Sequence, residues 1–470
     1  MSHDQTPAPD RSGAGRHRAA DDHDAAAPAP GATAAGAASS APRNEGNARN
    51  SDANASNGGR QETAPGVAQI ADPERGGATA TQGELTGDGR TVLVTGASGM
   101  LGGDVARVLL SRGWRVRVFQ RGHASVAERE GVDEVLGSVT DPDDVARALD
   151  GVDDVIHLAA KVSFTGDWED FVRVNVTGTR VLLCQAQNAG VQNVVFVSSP
   201  SVAHAGVSIE GAGAEPANPE AARGNYARSK AAAELLALSM DGQRDLKVAA
   251  VRPHIVWGPG DTQLVERVAD RAAAGRMPYL DNGAAMIDTT YIDNASEGIV
   301  RALERIDTVR GRALVITNGE PRPVGELIAR MCRAAGVPAP TRSIPGGVAR
   351  FAGRVIEKVW PHLPAKFRGG DGEPPMTEFL AEQLSTAHWF DQRETRELLN
   401  WTPSVSLDEG FARLTAYYAD KPRPQRKTGS VAVSRVVEVA DDQRIRAEDA
   451  SIAPDDESGT SNDLQIVRAQ

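Results

Sequence analysis

Thr91-Val92-Leu93-Val94-Thr95-Gly96-Ala97-Ser98-Gly99-Met100-Leu101-Gly102-Gly103 is the stretch on which the fold turns. Its first five residues are a short apolar run with the marks of a buried strand. A glycine-rich turn follows, and Val105, Val108 and Leu109 then recur at helical spacing. In a strand–turn–helix context the three glycines serve different ends. Gly96 permits the tight turn, Gly99 lets a pyrophosphate approach the backbone, and Gly102 lets the helix pack closely. Phosphates would rest at the helix N-terminus, where free N–H groups and the positive dipole end favour anions. Gly96, Ser98, Gly99, Met100, Leu101 and Gly102 are therefore the expected dinucleotide-binding loop, spaced G-x-x-G-x-x-G.

Outward from this loop the same alternation continues. Apolar runs at 114–119, 154–158, 193–197 and 247–251 read as strands, and 143–149, 167–189 and 225–240 as helices between them. Short apolar strands separated by helices imply a parallel sheet covered on both faces, so the expected class is α/β, a Rossmann-like doubly wound fold. After Arg252 the rhythm loosens. Helices are expected at 264–274, 294–303, 324–335, 348–360 and 407–418, with extended segments at 286–291 and 313–317. This portion reads as a smaller C-terminal substrate-binding lid subdomain.

Residues 1–90 contain no Phe, Trp or Tyr in a background of Ala, Gly, Pro, Ser, Asn and Asp, too little apolar surface to offset the entropy of ordering. The expected partition is a disordered tail at 1–90, an NAD(P)-binding domain at 91–255, a substrate-binding region with some returning sheet elements at 256–420, and a second disordered tail at 421–470. The formal charge of −12 offers no concentrated basic face for nucleic acid. Two cysteines, Cys184 and Cys332, exclude a disulfide framework and fit a reducing compartment. No apolar run reaches the ~18 residues of a membrane span, and Met1 opens no leader, so a cytoplasmic protein is expected. The nine histidines form no metal-ligand motif, and no metal is expected.

The second strand ends Gln120-Arg121-Gly122-His123, with no acid to accept from a ribose 2′-OH. Arg121 suits a 2′-phosphate, which favours NADP(H) over NAD(H); a solvated surface arginine is the competing reading. Tyr226 and Lys230 stand i, i+4 on one helix face, where an ammonium would lower the phenol pKa from its ordinary ~10. Upstream, Val197-Ser198-Ser199-Pro200-Ser201 sets hydroxyls at the carboxyl edge of the sheet, placed to hydrogen-bond a reacting oxygen. Loop, serine and Tyr/Lys pair together describe hydride transfer between a nicotinamide and a ketone or secondary alcohol.

With these segments in view, 91–418 resembles the extended short-chain dehydrogenases/reductases, in particular their 3β-hydroxysteroid dehydrogenase/isomerase-like branch. The resemblance is carried by Thr95 to Gly102, His157-Leu158-Ala159-Ala160-Lys161, Asn175 to Thr179, Ser198 to Val202, Tyr226 to Lys230, Arg252 to Asp261 and Asp288 to Asn294. It implies Tyr226 as acid/base, Lys230 as its modulator and a cofactor ligand, and Ser199 as the oxygen-orienting residue with Ser198 as fallback. It also implies Ala159, Ala160 and Lys161 along the cofactor, Pro253 and Ile255 beside the nicotinamide, and Asn175 supporting the active-site helix.

Two departures stand out: Ser138 where the family often has an adenine-contacting Asp, and Pro200-Ser201 where a dehydratase would carry an acidic pair. The segments Asn318 to Pro321, Gly372 to Thr377 and His388-Trp389-Phe390 are similar to bacterial reductases of long-chain olefin biosynthesis, which act on 2-alkyl-3-oxoalkanoates. Actinobacterial steroid dehydrogenases share much of that pattern. The implied activity is NAD(P)-dependent interconversion of a 3-oxo and a 3-hydroxy group on a large hydrophobic substrate. A nucleotide-sugar epimerase or a non-catalytic dinucleotide-sensing protein are the alternatives.

Val348, Phe351, Ala352, Val355, Ile356, Val359 and Trp360 form an apolar stripe that either packs into the lid or touches a lipid surface peripherally. A homodimer is compatible with the sequence. His204 and His254 fall near the cofactor face and read as hydrogen-bonded structural histidines.

Overall fold

The computed structural model describes residues 87, 89–130, 132–163, 166–360 and 376–420, all within the compact unit Gly77–Gln470. The two expected tails, apart from Gly87, Gly89 and Arg90, lie outside the described residues, as does 372–375 of one quoted segment.

In chain order the first half runs β1 (Thr91–Thr95), α1 (Met100–Ser111), β2 (Arg115–Gln120), α2 (Ser125–Glu130), β3 (Asp133–Leu136), α3 (Pro142–Leu149), β4 (Asp154–His157), α4 (Trp168–Phe171), α5 (Gly178–Ala189), β5 (Asn193–Val197), β6 (Ile209–Ala212), α6 (Gly224–Ser239) and β7 (Lys247–Pro253). The strand Ala313–Ile316 joins six of these in one parallel sheet, ordered Ala313–Ile316, β7, β5, β4, β1, β2, β3. The order reverses between β1 and β4, the place where such folds open a crevice for ligands.

Side-chain alternation divides each central strand between two cores. Val92 and Val94 join Val195, Val197, Ala249 and Val251 beneath α1 on one face, while Leu93 joins Val194, Phe196, Val248 and Ala250 beneath α3 and α5 on the other. Burial on both faces is why these strands read as unbroken apolar runs. β3 escaped the sequence reading because Asp133-Glu134-Val135-Leu136 is an edge strand with no fully buried residue. The helix expected over 167–189 is instead α4, a π-helical segment at Val172–Thr177, and α5. The extended segment expected at 286–291 is two short strands, Met286–Ile287 and Thr290–Tyr291, in different sheets.

The second half builds its own core from Trp257, Ile287, Tyr291, Leu327, Ile328 and Phe411, beside α7 (Val265–Ala273) and α8 (Ile292–Glu304). A four-stranded sheet, ordered Arg322–Pro323, Met286–Ile287, His388–Phe390, β6, ties it to the first half. Three buried polar residues serve this assembly. Asn294 donates to the Val405 carbonyl and accepts from the Ser404 and Val405 N–H groups, and Asn318 accepts from the Tyr291 N–H and the Asn294 amide. Asp288 accepts from Thr317 Oγ1 at 2.6 Å and from the Glu320 N–H.

The helix Gly346–Val359 corrects one expectation. Its buried face is the small-residue line Gly346, Ala349 and Gly353, against the helix Glu378–Ser385; a Cβ at Gly353 would stand 2.6 Å from backbone at Thr377 and Glu378. Four members of the apolar stripe face outward, Phe351 being 66% exposed beside Val348, Val355 and Val359. These four do not pack into the lid, whereas Ala352, Ile356 and Trp360 are half-buried. Among the described residues no helix is long and apolar enough to cross a membrane.

Arg252 of β7 and Glu234 of α6 form a bidentate pair at 2.9 and 2.5 Å, both 1% exposed, and Arg252 also donates to the Glu215 carbonyl. Removing one partner strands a buried charge. Glu234→Ala is expected to lower unfolding free energy by about 3–5 kcal/mol, measured by urea denaturation; a loss below ~1 kcal/mol would contradict this account.

Candidate active site

The glycine loop is shaped by contacts that only glycine allows at two places. Gly96 has φ +77° and its missing Cβ would stand 3.0 Å from the Ala159 backbone; at Gly102 it would lie 2.4 Å from the Gly96 carbonyl. Gly99 meets only ordinary contact, so what its missing side chain clears is space outside the loop. Gly99 N-caps α1 with no side-chain acceptor, leaving the first-turn N–H groups unclaimed by a cap. In α3, by contrast, Asp141 accepts from the Asp143 and Asp144 N–H groups. An open helix N-terminus beneath a glycine turn fits a pyrophosphate.

Behind the loop a buried hydrogen-bond chain sets the sheet edge. Thr95 Oγ1 accepts from the Leu158 and Ala159 N–H groups and meets His157 Nδ1 at 2.7 Å. Thr179 Oγ1 donates to the Asn175 carbonyl, so it accepts from His157 Nε2 at 3.1 Å and His157 Nδ1 accepts from Thr95. Asn175, in the π-helical segment, accepts from the Lys161 N–H at 2.7 Å and donates to Ser229 Oγ of α6 at 2.9 Å. The segment 159–161, expected along the cofactor, is thus tied to the helix that carries Tyr226. The Lys161 ammonium turns aside to Asp170 at 2.9 Å.

Ser199, Tyr226 and Lys230 come together at the ends of β5 and α6. Ser199 is extended at φ −154°, starts the 3-10 turn Pro200–Ala203, hydrogen-bonds Tyr226, and lies 3.0 Å from Ser201 Oγ. Lys230, 3% exposed, donates to the Val197 carbonyl at 2.7 Å over the Phe196 ring. The expected tuning is corrected here. Burial pushes the Tyr226 phenol up to about 12 in spite of its Ser199 hydrogen bond, and burial pushes Lys230 down to about 7. Desolvation disfavours both charged forms and outweighs the help each group could give the other. Ser198 Oγ is buried, unpartnered and away from the cavity, so only Ser199 faces Tyr226.

That cavity, about 380 Å3, opens beside Ser199 and Tyr226. Ile255, Val268, Met277, Leu327, Ile328 and Leu384 make much of its wall, with Arg267 and Arg271 from α7. Ile255, expected beside a nicotinamide, holds φ +44°, costly for a β-branched residue, with its carbonyl accepting from the Thr290 N–H. Pro253 closes β7 just before it.

His204, His254 and His388 also line the cavity, and burial pushes them down to about 4, 4 and 3. His254 donates to the Asp288 carbonyl as a structural histidine should, whereas His204 has no hydrogen-bond partner at either nitrogen. The sequence reading missed His388 and the Glu378–Ser385 helix as cavity walls. Their only signal was the His388-Trp389-Phe390 resemblance, which carried no role. Among the described residues no group of three or more His, Cys, Asp or Glu is placed to hold a metal.

Arg121 follows β2 directly and is exposed. The nearby acid Glu134 is occupied by the Gln120 amide, the Ala124 N–H and His123, so it anchors this turn rather than presenting a carboxylate to a ribose.

A parallel doubly wound sheet with this loop and a Ser/Tyr/Lys group at its carboxyl edge defines an NAD(P)-dependent dehydrogenase/reductase. Residues 92–317 match the NAD dependent epimerase/dehydratase family. A 2-alkyl-3-oxoalkanoate reductase of Stenotrophomonas maltophilia is 38% identical over 330 residues, 69% of this chain and 98% of that one. A 3-beta-hydroxysteroid dehydrogenase of Mycolicibacterium neoaurum is 30% identical over 347 residues, 70% of this chain and 91% of that one. The crystal structure of gox2253 superposes with a TM-score of 0.58 at 27% identity, covering 72% of this chain and 99% of that one. The chain belongs to the NAD-dependent epimerase/dehydratase family of extended short-chain dehydrogenases/reductases.

Two outcomes are expected. Gly102→Ala should weaken cofactor binding at least ~tenfold in a fluorescence titration, because the new methyl displaces backbone at Gly96; unchanged affinity would dissociate the loop from the cofactor. Acid should also destabilise the fold. Between about pH 6.5 and 4 the unfolded chain holds protons that folded His157, His204, His254 and His388 exclude, so stability falls as pH drops through that window. Asp288, pushed up to about 6 by burial, opposes them, as do Asp261, Asp293, Glu357 and Glu382, which burial also raises. Melting temperature against pH should decline over the window, and a flat profile would contradict the neutral histidines.

Proposed function

We propose that the chain catalyses NADP(H)-dependent interconversion of a ketone and a secondary alcohol at the 3-position of a large hydrophobic substrate, of the 2-alkyl-3-oxoalkanoate class. The observation that carries this reading is the cavity itself: a largely aliphatic wall that ends at Ser199 and Tyr226. On this reading 91–255 holds the cofactor and 256–420 supplies most of the substrate wall.

When bound, the nicotinamide supplies the hydride. Tyr226 gives its proton to the carbonyl oxygen as that oxygen gains charge, and Ser199 holds the same oxygen by a hydrogen bond. A phenol pushed up to about 12 is fully protonated at neutral pH, the form that ketone reduction requires. Lys230, which donates to the Val197 carbonyl and is pushed down to about 7 by burial, would in its protonated form ease phenolate formation in the reverse direction. The α1 N-terminus and Gly99 would receive the pyrophosphate. Arg121, exposed where no free acid competes, supports a 2′-phosphate and so NADP(H).

The relatives named as a reductase and as a steroid dehydrogenase both support a 3-oxygenated apolar substrate. A nucleotide-sugar substrate would leave this wall unused, and a sensor would have no need of the Tyr226–Lys230 arrangement.

The test offers NADPH and NADH separately, each with 2-alkyl-3-oxoacids and with 3-oxosteroids, and follows cofactor oxidation. Oxidation of NADPH with the oxoacids is expected. Tyr226→Phe should cut kcat about 10²–10⁴-fold while cofactor affinity stays within ~threefold. Turnover at the wild-type rate in that variant would overturn the mechanism, and preference for NADH would overturn the Arg121 argument.

A further inference from the structure

Three histidines stand together at the cavity wall, and proton transfer through Tyr226 uses none of them. His204 follows the 3-10 turn that Ser199 opens, His254 follows β7, and His388 begins the strand His388–Phe390. Their rings meet, with centroids 4.6 Å apart for His204 and His388 and 6.1 Å for His254 and His388.

Their hydrogen bonds can be assigned atom by atom. His254 Nδ1 lies 2.6 Å from the Asp288 carbonyl and so carries the proton, which leaves Nε2 an acceptor. Thr386 Oγ1 donates to the Glu382 carbonyl at 2.7 Å. It therefore accepts from His388 Nε2 at 3.2 Å, which makes His388 Nδ1 a buried acceptor without a partner. His204 is 2% exposed, and neither of its ring nitrogens has a hydrogen-bond partner. Buried polar groups are ordinarily satisfied, and a neutral imidazole has one donor and one acceptor to fill. An apolar residue would occupy this position at lower cost to folding.

We propose that His204 binds the carboxyl group of a 3-oxo or 3-hydroxy acid, next to the reacting oxygen held by Ser199 and Tyr226, so that the enzyme reads an acid rather than a simple ketone. The proposal rests on the function proposed above and names the residue that reads the carboxyl group of that substrate class. In such an acid the carboxyl carbon is two bonds from the reacting carbon, so its anchor must sit close to Ser199. His204 is five residues along, at the end of the turn that Ser199 caps. Ser201, 3.0 Å from Ser199 Oγ and also on the cavity wall, offers a hydroxyl beside it. Arg267 and Arg271 line the cavity, and Arg223, within electrostatic reach of His204, is paired with Glu382 at 3.9 Å. The aliphatic wall beyond is left for the alkyl chains.

The test runs in the oxidative direction, because 3-hydroxy acids are stable whereas 3-oxoacids lose carbon dioxide. The full chain with NADP+ is offered a 2-alkyl-3-hydroxyalkanoate and the secondary alcohol that has the same two chains but no carboxyl. Wild type should favour the acid at least ~tenfold in kcat/KM, and His204→Phe should erase that preference through KM while the alcohol stays within ~threefold. His204→Asn, which keeps a donor, should retain part of the preference. The ratio of the two rates does not depend on how much variant folds, so a poorly folding His204→Phe still reports, although melting at or above the wild-type temperature is expected. No acid preference in wild type, or an equal loss on both substrates in His204→Phe, would overturn the site. Wild type oxidising neither compound would overturn the oxidoreductase reading on which the site rests.

Discussion

The structure depends on the buried hydrogen-bond chain Thr95–His157–Thr179–Asn175–Ser229. It begins at the C-terminal end of the first strand, crosses to β4, passes through a π-helical segment and ends on the helix that carries Tyr226 and Lys230. Each member has its donors and acceptors filled by the next, so the dinucleotide loop, segment 159–161 and the active-site helix are held in one register. Networks of this kind tolerate no half-satisfied member, which accounts for the burial of His157 as a neutral ring.

Burial is also what tunes the chemistry. A phenol raised by desolvation and an ammonium lowered by it describe a site whose burial disfavours both charged forms. Sequence spacing alone pointed to the opposite shift for Tyr226, because it counted the neighbouring charge and could not count the lost solvent.

The cavity shows a division of labour between halves. Chemistry stands at the carboxyl edge of the first-half sheet, while α7, the 324–334 helix and the Glu378–Ser385 helix bring the apolar wall. The second half reaches that position through the strand Ala313–Ile316 beside β7 and the strand His388–Phe390 beside β6, while Asp288, Asn294 and Asn318 fasten it internally. The motifs around those three residues, which as sequence only carried the family resemblance, are structural fastenings. The outward stripe on Gly346–Val359 follows from the same economy, since only its glycine and alanine line fits against the neighbouring helix.

The doubly wound class, the glycine turn ahead of α1, and the placing of Tyr226 and Lys230 one turn apart on α6 were legible in the order of residues. Each is written in local pattern: apolar runs, a glycine turn between strand and helix, and residues one helical turn apart. That pattern could not show β3, whose polar edge residues leave no periodic signal, or the break of 167–189 into three helical pieces. It took the folded chain to put His204, His254 and His388, far apart in sequence, on one wall, to turn Ser199 rather than Ser198 toward Tyr226, and to point the Val348–Val359 stripe outward. Those facts depend on desolvation and on long-range pairing, and neither quantity belongs to a residue until the rest of the chain has closed around it.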